Sequence, residues 1–118
     1  MTIAIKRVYD PVGEDGVRIL VDRLWPRGLK KEHLHGQWVK DIAPSAKLRT
    51  WFGHDPDKWT EFKKKYFIEL DAQPEIVQQI LDLAHKQYVT LLFSSHDVEH
   101  NQAVALREYL ETKLNGVQ

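Results

Sequence analysis

The chain has 118 residues, a length that suits one domain over 1–118, and 42 % of them are hydrophobic, enough for a core and too many for a disordered chain. Seventeen Lys/Arg balance seventeen Asp/Glu, so no whole-molecule attraction to nucleic acid or to an anionic membrane is implied. Cysteine is absent, which excludes disulfides, thiolate metal sites and cysteine nucleophiles, and fits a cytoplasmic protein.

The elements follow in chain order. Ile3 to Tyr9 reads as a strand, with Ile3, Ile5 and Val8 as its apolar positions. This opening holds no long apolar run, so no signal peptide is expected, and no stretch reaches the roughly 20 apolar residues of a membrane span. The turn-rich DPVGEDG leads to Val17–Val21, a β-branched run expected to be buried on both faces. Ser45 is the expected cap of a short helix through Phe52, stopped by Gly53. Asp55 and Pro56 restart a helix whose Trp59, Phe62, Tyr66 and Leu70 form one apolar stripe. Pro74 opens another, carrying Ile76, Val77, Ile80, Leu81 and Ala84 on one face. Val89–Ser95 is a further apolar strand, and a last helix carries Ala103, Leu106, Leu110 and Leu114.

This order predicts an α/β fold, a single layered domain with a small, mainly parallel sheet flanked by helices. The first two strands conflict with it. Their connection is short, parallel neighbours need a crossover of about a dozen residues, and spacing alone favours a hairpin.

Polar groups gather where each apolar run stops: Tyr9-Asp10, Asp22-Arg23 and Ser94-Ser95. In open α/β sheets ligands bind beyond the carboxyl ends of the strands. In the stretch DRLWPRG, Pro26 stiffens the turn, so Arg23 and Arg27 are candidates to grip an anion beside Trp25. The alternative is that Arg23 pairs with Asp22, Asp41 or Glu69 and that Trp25 is core. Ser94, Ser95 and Asn101 are candidate anion contacts at a helix start, or simply its caps, with Asp97 read as a cap. His54, between two helices, is a candidate general base or the partner of a loop carbonyl. His96, Glu99 and His100 spell H-x-x-E-H, a short zinc-like string whose first histidine precedes the helix, so no metal is expected. His33, His35 and His85 read as surface residues, and Lys63–Lys65 as the wet face of a helix. Nucleotide-loop, nucleophile-elbow and EF-hand strings are missing, and no cofactor is implied.

VDRLWPRGLKKE, the W-x-K-D-I-A-P-S of 38–45, LRTWFGHDPDKWTEFKKKY and EHNQAVALREYL occur in order along nearly the whole chain. Together they resemble the YeaO-like branch of the family known as domain of unknown function 488. The resemblance implies one α/β domain in a bacterial or archaeal cytoplasm. It picks out Arg7, Asp22, Arg23, Trp25, Pro26, Arg27, Pro44, Ser45, His54, Tyr66, Glu69 and Asn101 as matches to the family motifs. It also implies parallel first strands, with the helix that related branches place between them replaced here by YDPVGEDGVR. The expected function is an enzyme-like pocket for an anionic small molecule, a nucleotide or phosphorylated metabolite, with Arg7, Arg23, Trp25, Arg27, Ser45, Ser94 and Asn101 binding and Asp22 or His54 moving a proton. The alternative is a non-catalytic module whose partner is a protein or nucleic acid.

Overall fold

A computed structural model describes residues 3–116. Four strands form one parallel sheet: β1 (Ile3–Arg7), β2 (Val17–Leu20), β3 (Gln37–Trp38) and β4 (Val89–Phe93), in the spatial order β1-β4-β2-β3. Four helices accompany them: α1 (Ala46–Phe52), α2 (Trp59–Asp71), α3 (Pro74–Lys86) and α4 (Gln102–Leu114).

The hairpin that spacing favoured does not form. β4 lies between β1 and β2 and pairs in parallel with both, Val89 standing opposite Ile3 on one side and Val17 on the other. The short connection is therefore not a turn between neighbours. Residues 8–16 carry the chain from the end of one strand back to the start of another, and no helix forms in them.

Strand periodicity decides what each face meets. Ile3, Ile19, Val89, Leu91 and Phe93 share one core with Leu48 and Phe52 of α1, Phe62, Tyr66 and Leu70 of α2, Val77 and Ile80 of α3, and Leu106 and Leu110 of α4. Leu20, Leu92 and Val8 look the other way, into a smaller cluster with Leu34, Trp25 and Leu29. The helices thus cover one face and loops cover the other. At 25 cal/mol per Å2, each fully buried Leu or Ile contributes about 2 kcal/mol to this arrangement.

The loop face is held by charge as well as by packing. Asp15, 9 % exposed, receives Lys6 Nζ at 3.0 Å, the Gly13 N–H at 3.2 Å and a short bond from Arg18 Nη1. Burial pushes its carboxyl up, but these donors outweigh burial and hold it below the usual carboxylate range. Arg18 also donates Nε to Leu34 O at 3.2 Å, and Thr90 Oγ1 donates to Asp15 O at 2.7 Å. Asp15 thereby ties the crossing loop to β1 and β2 through its carboxylate and to β4 through its backbone carbonyl. Two glycines permit the approach. A Cβ on Gly16, whose φ is +65°, would lie 2.1 Å from Tyr88 O, and one on Gly36 would lie 2.4 Å from Arg18 O.

The helix starts follow the local chemistry. Ser45 caps α1 by accepting from Leu48 N, and Gly53 ends it in the left-handed region. Asp55 precedes a single turn at Pro56–Lys58 that runs into α2. Asn101 caps α4, accepting from the N–H groups of Ala103 and Val104. Asp97, expected as a cap, instead closes the preceding turn by accepting from Glu99 N and His100 N. The edge strand β3 was not foreseen, since Gln37–Trp38 is too short to show a period.

Candidate functional site

Because the strands are parallel, their carboxyl ends open on one edge, and a cleft of about 280 Å3 lies there. Its lining comes from the β2 exit (Asp22 to Arg27), the α1 end (Arg49, Phe52, His54), Phe62 of α2, Ser94 and Ser95 after β4, and the start of α4.

The sequence-derived candidates divide into three groups. Asp22 and Ser94 form the floor. The Asp22 carboxyl is 7 % exposed and accepts from Ser94 Oγ at 2.5 Å, Ser94 N at 3.2 Å and, in a short bond, Gln102 Nε2. Burial pushes it above the usual carboxylate range, against the lowering effect of those bonds and of the nearby Arg49 charge.

Arg7, Arg23, Ser45 and Asn101 are occupied by the frame. Arg7 donates to the carbonyls of Ser94 (2.9 Å) and Ser95 (3.0 Å) and lies over the Tyr9 ring. It supports the β4 exit and does not line the cleft. Arg23 does line it, but Nε and Nη2 are spent on the carbonyls of Pro44 (2.7 Å) and Ala43 (3.1 Å). The carboxylate partners expected for it, Asp22, Asp41 and Glu69, are not its partners. Ser45 lies beyond Arg23, in a second concavity, where Glu69 accepts from its N–H at 2.8 Å and its hydroxyl at 2.6 Å. There Tyr66 OH donates to Ile42 O at 2.7 Å. Asn101 lines the cleft, but its side chain is used up in capping α4 and in donating to Asp97 O at 2.8 Å.

Trp25, Arg27 and His54 remain. Trp25 is a wall of the cleft, anchored by its indole N–H on Leu29 O at 2.7 Å. Leu29 N in turn donates to Pro26 O, closing the rigid turn that the Trp-Pro pair begins. Tyr9 OH donates to Arg27 O at 2.7 Å, which ties the β1 exit to the same turn. The Arg27 side chain is exposed and holds neither hydrogen bond nor ion pair among the described residues. His54 follows Gly53 in a second left-handed conformation, φ 58°, a backbone state that costs a side-chain-bearing residue of order 1 kcal/mol. Its ring, on the cleft wall, has no hydrogen bond among the described residues.

Sequence reasoning missed Arg49 and Gln102, and weighed His100 only as part of the zinc-like string. Arg49 stands one turn before Phe52 on α1, so both face the cleft; its guanidinium is likewise without a hydrogen bond or ion pair among the described residues. It sits inside LRTWFGH, a stretch that also carries the family resemblance, and its helical spacing to Phe52 is the signal that could have found it. Nothing in the sequence pointed to Gln102. His100 Nδ1 donates to Asp97 Oδ2, 3.1 Å away, and the His100 ring meets the Trp59 ring edge-on at 5.4 Å. The zinc-like string ends before α4 begins at Gln102, so its histidines do not share a helical face.

A family model described as the inactive DUF488-N3 subclade matches residues 2–118. The chain belongs to this family. Among its relatives is the Escherichia coli K12 protein YeaO, itself described as uncharacterized, 42 % identical over 95 % of this chain and 99 % of that one. Proteins of Mycobacterium bovis (Mb3100c) and Mycobacterium tuberculosis (Rv3073c), also described as uncharacterized, are each 34 % identical over 92 % of both chains. No solved structure matches. The DUF488 resemblance read from DRLWPRG and its companion motifs is therefore correct. None of the described helices is long and apolar enough to cross a membrane.

Proposed function

We propose that the cleft of this DUF488-N3 protein binds an anionic small molecule, of the phosphate-bearing kind, without transforming it. The observation that carries the reading is a pair of guanidiniums, Arg27 and Arg49, lining one cleft with no side-chain hydrogen bond or ion pair among the described residues, Asp22 meeting Arg49 through its charge alone. Arginine left unpaired beside a pocket is suited to phosphate or carboxylate, which it grips through two parallel N–H bonds. The start of α4 adds the partial positive charge of a helix N-terminus on the same side. Trp25, Phe52 and Phe62 supply apolar wall for the organic part of such a ligand. Binding without turnover is favoured by the floor. Every oxygen of the Asp22 carboxylate already receives a donor of the protein. The family's description as inactive agrees with that.

Thermal unfolding with a panel of phosphate, pyrophosphate, nucleotides and sugar phosphates tests this. A ligand at 100 times its dissociation constant adds about 2.7 kcal/mol. At least one anion is expected to raise Tm, and Arg27→Ala is expected to keep the fold and lose the shift. No shift from any member of the panel overturns the reading.

One observation favours an enzyme instead. A carboxyl raised above its usual range in a cleft, 2.5 Å from a serine hydroxyl, is a proton-transfer group in form, with His54 nearby on the wall. In that case a ligand that raises Tm is consumed on incubation, by phosphorus NMR, and Asp22→Asn stops its consumption. A ligand recovered intact leaves binding alone.

A further inference from the structure

The cleft does not account for the surface that leads into it. From Arg23 to Lys40 the sequence carries Arg23, Arg27, Lys30, Lys31 and Lys40 against one acidic residue, Glu32. Arg27, Lys30, Lys31 and Lys40 are all exposed, and none has a carboxylate partner among the described residues. On the same segment stands Trp38, 38 % exposed and a member of neither buried cluster. Packing does not explain it, yet its orientation is fixed. Its indole N–H donates to Asp22 O at 2.7 Å, and its ring meets Trp25, the cleft wall, edge-on at 5.3 Å. Lys40 Nζ lies 5.5 Å from the Trp38 ring centroid. A held, exposed indole with an ammonium over it therefore adjoins the anion cleft through a single aromatic contact.

We infer that the ligand of the cleft is one nucleotide of a single-stranded nucleic acid, whose neighbouring base stacks on Trp38 and whose next phosphates are met by Lys30, Lys31 and Lys40. This rests on the anion-binding reading. Charges strung along a strand call for several unpaired cations outside the pocket, which a free metabolite does not use, and this one stretch of chain supplies them exposed. Aromatic stacking beside such cations is how single strands are held without regard to sequence, and the stacked base has to be unpaired. The ammonium of Lys40 occupies the place of that base over the indole and is free to move to a phosphate when the base arrives. The zero net charge of the chain makes this a local attraction, strong at low salt and weak at high salt.

The test uses the full chain and fluorescence anisotropy with end-labelled oligothymidylate and oligouridylate of about eight residues, a length within the span of one strand-binding fold. The matching unlabelled mononucleotides serve as competitors. Both strands are measured in low and moderate salt. The oligonucleotide is expected to bind at least about tenfold more tightly than the mononucleotide, with a logarithmic salt slope of about −0.7 per phosphate contacted. Trp38→Ala is expected to weaken the oligonucleotide about tenfold more than it weakens the mononucleotide, as expected for one lost stacking contact. Lys30→Gln combined with Lys40→Gln, which touches no fold contact of the core, is expected to flatten the salt slope. Preference between the two strands tells DNA from RNA. Equal affinity for strand and mononucleotide, or binding of sugar phosphates but no nucleotide, overturns the inference and leaves the anion cleft standing. If no anion of any kind binds, both fall together.

Discussion

Charge is used in opposite ways in two regions of this molecule. Under the loop face, Lys6 and Arg18 converge on the single carboxylate of Asp15, which holds a loop to β1 and β2 while the Asp15 backbone carbonyl holds it to β4. At the strand ends, Arg27 and Arg49 line a cleft and form no ion pair among the described residues, the Asp22 carboxyl on its floor being bonded to Ser94 and Gln102 instead and meeting Arg49 only through its charge. The first set is spent on the fold. The second is available, and pairing rather than residue type separates structural arginines from candidate binding ones.

Mutations sharpen the contrast, taken from the largest expected effect downward. Asp15→Ala leaves two cations facing each other under the loop, one of them buried, and is expected to lower the unfolding free energy by about 3 kcal/mol in urea titrations. Anion binding by the refolded fraction is expected to persist. Gly16→Ala places a side chain against the Tyr88 carbonyl in a left-handed backbone and is expected to cost about 2 kcal/mol, read as a lower urea midpoint at unchanged slope. A loss as small as that of a surface substitution would mean that the crossing loop is not held where Asp15 anchors it.

Acid separates the two regions by sign. Asp15 is held below its usual pKa, so its stabilisation is complete at neutral pH and is lost as pH falls through the lowered folded value. Asp22 is raised, so the folded state takes up its proton more readily than the unfolded chain; its contribution is present in acid and lost as pH rises through the raised value. In denaturant titrations across the acid range, Asp22→Asn is expected to lose stability relative to the parent chain as the pH is lowered, and Asp15→Asn to show the reverse. The smallest effect is expected from Arg49→Ala, within about 0.5 kcal/mol of the parent because its exposed guanidinium forms no ion pair among the described residues and reaches Asp22 only through its charge. A clear destabilisation by Arg49→Ala would end the contrast.

Much of this was legible in the residues. The spacing of Trp59, Phe62, Tyr66 and Leu70, the Ser45 and Gly53 stops and the unbroken apolar run of β4 each carry their structure locally. The sheet order did not. A nine-residue connection looks like a hairpin loop until a strand from the far end of the chain is placed between its ends, and no local pattern encodes that insertion. The site was legible as an edge and not as a set of contacts. Asp22, Trp25, Arg27, His54 and Ser94 do meet there. Arg7, Arg23 and Asn101 stand at or near the same place with their side chains turned to carbonyls or helix amides, and Ser45 belongs to another concavity. Motif matching cannot separate these roles, because a frame residue and a ligand residue are equally marked by it.

The position of β4 also governs how the protein is made. β1 and β2 have no strand partner of their own until Val89–Phe93 has been synthesised, apart from the two-residue β3 beside β2. On the ribosome β1 has no strand partner, and β2 only the two residues of β3, through the emergence of three helices, and the sheet closes when its central strand enters between them. A chain cut short before residue 89 retains only the segments of α1, α2 and α3 and loses α4 together with the central strand against which the helices pack.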